Sequence, residues 1–161
     1  MVIMEQVKLS TGYKSIAIRD EDDDQVVTVL RINVADAQTA DRFAHIIDQL
    51  NNISVRCDME MKEWKENHTD EQLTAGDTGN TIKVALDINA IRVKYLKEII
   101  AALDELFGEN TIKNIYGVIV PDETALFEFV EQVIPVMNTL FGRRFEQVKK
   151  RYNTGRKGGR K

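Results

Sequence analysis

Asp20, Asp22 and Asp24 alternate through an acidic run, and this is the spacing at which a calcium-binding loop presents its first three ligands. Two positions spoil that chemistry. Gln25 stands where the loop needs glycine for its sharp turn, and Arg31 stands where a bidentate glutamate should close the shell. An arginine there opposes the ion, so the run reads as a solvated turn whose charge also discourages edge-to-edge strand pairing. His45 and His68 lie on one helical pattern about six turns apart, too far to share a metal. No HExxH, CxxC or Cys/His cluster occurs, so no metal site is expected. Cys57, the one cysteine, falls on an apolar stripe without a histidine a turn away, which suits a small core residue better than a nucleophile. Gly76-Asp77-Thr78-Gly79-Asn80 offers glycines before a helix, but it lacks the GK[ST] ending of a phosphate loop. The sequence carries no enzyme signature and implies no cofactor.

The elements that would carry these residues change period along the chain. Tyr13 to Ile18 alternates, and Val26 to Asn33 is rich in β-branched residues, so the two runs around the acidic turn predict a hairpin. A lone hairpin is marginal and must pack on something. Asp36 can cap a helix with Ala40, Phe43, Ala44, Ile47, Leu50, Ile53, Cys57, Met61 and Trp64 at helical steps. Thr69–Asn80 reads as a loop. A second helix carries Leu86, Val93, Leu96, Ile99, Ile100, Leu103, Leu106 and Phe107, with Gly108 placed to end it. Glu109–Gly117 suggests one short helical turn. Pro121-Asp122-Glu123 then starts a final helix, and Pro135 should kink or break it. The expected fold is mainly α: a small N-terminal β-hairpin, three long helices and one short helical turn. The expected plan is a single domain with a hairpin segment at 1–35 packed on the body, a helical body at 36–152, and a disordered basic tail at 153–161.

Bulk properties narrow the function classes. The chain has 161 residues, a formal net charge of −4, 43% hydrophobic and 30% charged residues. That is ordinary globular composition. The acidic balance argues against a molecule that binds nucleic acid over its whole surface. No signal peptide or membrane-spanning run is visible, and the single cysteine suits a reducing compartment, so a soluble, intracellular protein is expected.

Two features resist a purely structural explanation. Phe127 and Phe129 are two residues apart, as are Met59 and Met61, so neither pair fits one narrow helical stripe. Met59, Met61, Phe127, Phe129 and Phe145 are therefore the candidate partner-binding residues. The chain also ends in RYNTGRKGGRK. Cations on the last helix complement its macrodipole. The glycine-spaced remainder could touch nucleic acid, meet an acidic neighbour, or only keep the chain soluble, and solubility is the favoured reading.

Leu106-Phe107-Gly108-Glu109-Asn110-Thr111, followed by Lys113 and Tyr116-Gly117, resembles an LFGEGT…K.FGG signature. That signature belongs to short proteins of the tail-gene cassettes of phages of Gram-positive bacteria. Asn110 stands where glycine is usual, and Tyr116 interrupts the paired glycines. The layout of hairpin, two helices, linker, aromatic final helix and basic end is also similar. Such proteins are the tail assembly chaperones of long-tailed siphophages. The resemblance implies a helical, non-enzymatic homo-oligomer in the cytoplasm of the bacterial host, absent from the mature virion. Its partners would be the tape measure protein, whose amphipathic helices it keeps soluble, and the tail tube protein. The rival readings are a nucleic-acid-associated regulator using the basic tail and a small structural head–tail component.

Overall fold

The computed structural model describes residues 3–68 and 78–157. Most of the Thr69–Asn80 stretch and the last four residues of the basic tail lie outside these. Among the described residues the fold is mainly helical, with a two-stranded antiparallel hairpin, three long helices and one short one. The hairpin is β1 (Tyr13–Arg19) and β2 (Val26–Asn33), and the helices are α1 (Ala37–Glu66), α2 (Thr78–Phe107), α3 (Thr111–Tyr116) and α4 (Glu123–Lys157). The chain divides into two compact units. One is built from the chain's ends, up to Asp41 and from Phe129 onward; the other is Arg42–Glu128.

In the first unit, β1 and β2 pair with Ile16 opposite Leu30 and a register irregularity at Ile18/Arg19. Alternation buries Leu30 and Ile32 and turns Val27 and Val29 outward. The hairpin tip is held by its own side chains. The Asp20 carboxylate accepts the Asp22 amide at 2.8 Å, and the Asp23 carboxylate accepts the Gln25 amide at 2.9 Å. Arg19 donates to the Asp24 carbonyl at 2.9 Å. Gly12 meets the open end of the hairpin at φ +81, where a Cβ would lie 2.4 Å from that of Ala35; only glycine fits there. From α4 this unit buries Phe129, Val133 and Met137.

The Arg42–Glu128 unit is built on α1 and α2, which run antiparallel. Arg42 meets Glu105 at 3.9 Å, Arg56 meets Glu98 at 3.1 Å and Lys94 meets Glu60 at 2.6 Å, so rising numbers on one helix meet falling numbers on the other. Ile46, Leu50 and Ile53 of α1 are buried, as are Leu96, Ile99, Leu103 and Leu106 of α2, each set recurring at helical steps. Three residues depart from the expected stripes, and one of them, Ala44, is simply exposed. Ile47 is exposed and Ile46 takes the inward place, because 46, 50 and 53 share a face that 47 leaves by about 100°. Leu86 is exposed too. The Glu60–Lys94 pair sets α1's last residue, Glu66, level with about residue 88, so Ile82 and Leu86 continue the helix past the end of α1.

The boundaries follow local chemistry. Asp36 accepts the Gln38 amide at 2.9 Å and the Thr39 hydroxyl at 2.9 Å, and Asp122 accepts the Ala125 amide at 3.0 Å; both cap helix starts. Helix α2 ends at Phe107, followed by Gly108 at φ +118. It begins at Thr78, inside the stretch expected to be a loop. Helix α1 closes on His68, whose ring stacks on Trp64 at 4.0 Å and whose Nδ1–H donates to the Trp64 carbonyl at 2.6 Å. Helix α4 is not broken at Pro135; it runs to Lys157. Residues 153–157, expected to open a disordered tail, are therefore helical. Thr154 anchors this part by donating to the Lys150 carbonyl at 2.8 Å.

Candidate partner-binding surfaces

The resemblance-bearing segment is a turn with defined geometry. Gly108 (φ +118) and Asn110 (φ +62) both occupy left-handed backbone. Asparagine tolerates that conformation better than most other side chains. Asn110 caps α3 by position but makes no side-chain hydrogen bond to it. The Ile112 amide is instead taken by the Asp104 carboxylate at 3.0 Å, from eight residues back on α2. Thr111, buried, donates its hydroxyl to the Gly108 carbonyl at 2.7 Å. Gly117, at φ +80, closes α3 through its amide on the Lys113 carbonyl at 2.7 Å. Tyr116 donates to the Ala125 carbonyl at 3.0 Å, and burial pushes its phenol up. The turn locks α3 between α2 and the start of α4.

The polar contacts of the Arg42–Glu128 unit form connected groups. Glu60 accepts from both Lys94 and Tyr95, and the Lys94 bond, with that of Tyr95, holds its carboxyl below the ordinary value. Arg92 grips Glu123 through two nitrogens, Nε at 2.9 Å, and keeps that carboxyl low as well. Burial, then the neighbouring Asp58, pushes the Cys57 thiol up, the direction that suppresses thiolate chemistry. Among the described residues no three His, Cys, Asp or Glu side chains gather as a metal ligand set. No helix among them is long and apolar enough to cross a membrane.

The expected partner residues divide. Met59 is 65% exposed and Met61 half-buried. Phe127 is 46% exposed, whereas Phe129 is only 5% exposed and leaves the candidate set. Phe129 sits three residues after Leu126 and four before Val133, on the buried stripe, while Phe127 lies one residue out of phase. Met59, Met61 and Phe127 belong to the Arg42–Glu128 unit. Phe145, 67% exposed, belongs to the other.

Other apolar side chains join those that remain. In the Arg42–Glu128 unit Val55 is exposed one turn before Met59, Ile82 and Leu86 are exposed one turn apart, and Val118, Ile119 and Val120 stand open between α3 and α4. In the unit of the chain ends, Phe145, Val148 and Tyr152 are exposed on α4, continuing the step from buried Met137 through half-buried Phe141. Beside them is a groove of about 1010 Å³, walled by Leu9 and Ser10 on one side and by Arg144, Gln147, Val148, Lys150, Arg151 and Tyr152 on the other. The four-residue steps 55/59 and 82/86 were available in the sequence as a signal for exposed helical pairs. The part played by Leu9 had no local signal. Comparison with protein-family models, with curated proteins and with solved structures finds no match.

Proposed function

We propose that the chain is a non-enzymatic assembly chaperone of the siphophage tail kind. It holds amphipathic helices of a tape measure protein soluble until tail tube subunits close around them. The observation that carries this reading is the apolar helical surface left open on the Arg42–Glu128 unit. Val55 and Met59 lie about 200° and 240° around α1 from buried Ile53, so they belong to no part of the helix's own buried face. An amphipathic helix needs such an apolar strip on its receptor, and methionine adapts to varied side chains. On this reading the protein acts in the bacterial host cytoplasm during assembly and does not remain in the finished particle.

Co-expression with the long helical protein of the same tail cassette tests the reading. The wild-type chain keeps that protein, or a helical fragment of it, in the soluble fraction. The double substitution Val55→Asp and Met59→Asp, both at exposed positions, reduces the soluble yield about tenfold or more, because two buried apolar contacts of about 1.5–3 kcal/mol each are lost. Failure of the wild-type chain to solubilise any segment would sink the proposal, as would an unchanged yield with the double variant.

A further inference from the structure

The end of α4 and the tip of the hairpin carry opposite, uncompensated charges. Arg143, Arg144, Lys149, Lys150 and Arg151 crowd the turns that also expose Phe145, Val148 and Tyr152. Among the described residues none of those five cations takes part in an ion pair, Arg144 donating only to Gln147 at 3.5 Å. The tip places Glu21, Asp22, Asp23 and Asp24 together, and among the described residues none of their carboxylates takes part in an ion pair either, Arg19 donating only to the backbone carbonyl of Asp24. Behind the tip, Val26, Val27 and Val29 are exposed. Apart from Glu146 on α4 and Arg19 at the tip, each patch combines one sign of charge with apolar side chains, and the two combinations are complementary.

The groove beside α4 selects among possible occupants. A second α4 would bring cation against cation along the same apolar stripe, a like-charge juxtaposition that costs several kcal/mol. The hairpin brings carboxylates to the basic rim and valines to Val148, Tyr152 and Leu9. The tip is also rigid before docking, since the Asp20 and Asp23 carboxylates and Arg19 already fix its backbone; little ordering entropy remains to oppose binding. In the chain itself Leu9 and Ser10 wall that groove, not the tip.

We propose that the basic, apolar groove at the end of α4 receives the acidic hairpin tip of a second copy of this chain. Tip and groove are different surfaces, so the contact is head-to-tail. Each added copy leaves one free tip and one free groove, and the assembly grows as an open filament or closes as a ring. The inference does not depend on the chaperone reading, because it concerns the protein alone.

Sedimentation velocity on the full-length chain tests it, over a roughly thirty-fold concentration range at about 0.05 M and about 0.5 M salt. The wild type gains mass with concentration at low salt and disperses at high salt. The tip variant Glu21→Lys/Asp22→Lys and the groove variant Lys150→Glu/Arg151→Glu are each dispersed, with self-association weakened about tenfold or more. An equimolar mixture of the two regains mass, because each reversed surface now finds its opposite on the other variant. The neutral tip variant Glu21→Gln/Asp22→Asn, which spares the turn's hydrogen bonds, loses less than the reversed one. A wild type that stays monomeric overturns the proposal, including one that instead takes up an acidic amphipathic peptide or single-stranded RNA. So does association that survives both reversals, or a mixture that stays dispersed.

Discussion

Replacing Asp104 by alanine deletes the acceptor for the Ile112 amide, at 3.0 Å, where α2, the Gly108 turn and α3 meet. Ile112 is only 2% exposed, so water reaches its amide poorly, and a buried donor left unpaired costs about 2 kcal/mol. Alanine is the better helix former by about 0.5 kcal/mol, which offsets part of the loss. A net destabilisation of about 1.5 kcal/mol remains. For a chain of this length that corresponds to a fall of about 3–6 °C in Tm, readable by circular dichroism at 222 nm. Asp104→Asn keeps an oxygen at the same place and forfeits only the ionic part of the bond, so its loss should be about half as large. An Asp104→Ala protein melting within about 1 °C of wild type would refute this reasoning. Equal losses for the two variants would refute it too, by showing that the acceptor is not what matters.

At Asn110, held at φ +62, glycine should be tolerated to within about 0.5 kcal/mol, whereas valine should cost about 1–2 kcal/mol; urea unfolding midpoints separate the two, and equal midpoints would mean that the turn does not require left-handed backbone. Glu60 and Glu123 sit below their ordinary value of 4.5, chiefly through the bonds from Lys94 and Arg92. A depressed folded-state value means that their stabilisation is complete above 4.5 and is lost as pH falls through the folded-state values. The double variant Glu60→Gln/Glu123→Gln should therefore show a shallower loss of Tm than wild type between about pH 5 and about pH 3, and parallel acid limbs would contradict the assignment.

Features governed by local chemistry were legible in the sequence. Asp36 and Asp122 cap their helices, Gly108 ends α2, and the alternation around the acidic turn gives the hairpin. Features set by distant partners were not. Ile46 and Ile47 are adjacent apolar residues, and the pattern of α1 alone admits either on its inward face. The choice is made by the register with α2, fixed by Arg42–Glu105, Arg56–Glu98 and Glu60–Lys94, across separations no local pattern encodes. The cap of α3 was hidden in the same way, because the residue in the cap position makes no bond and the acceptor comes from Asp104. Phe129 was misplaced for a simpler reason. A two-residue spacing shows that Phe127 and Phe129 cannot both face inward, but it does not say which one does.

The exposed apolar side chains are of two physical kinds, and the difference bears on function. Val55 and Met59 point away from their helix's buried face. Phe145, Val148 and Tyr152 continue a buried face: Val133 and Met137 are covered, Phe141 is half covered, and the same steps run on into open residues. Among the described residues no buried side-chain nitrogen or oxygen lacks a hydrogen-bond partner, so these open faces do not accompany defective polar packing. A stripe that outruns its cover leaves the cost of exposed apolar surface standing until something extends the core, at about 25 cal/mol per Å² covered. On α4 that stripe is edged with unpaired cations, and any occupant must bring carboxylates along with its apolar face. On α1 no single sign of charge edges Val55 and Met59: Asp58, Lys62 and Glu63 are exposed beside them, and Arg56 and Glu60 are spent on Glu98, Lys94 and Tyr95. Selection there rests on apolar shape. One chain thus presents a charge-selective apolar surface and a permissive one, and the proposed self-association would use the first while the proposed binding of varied helices would use the second.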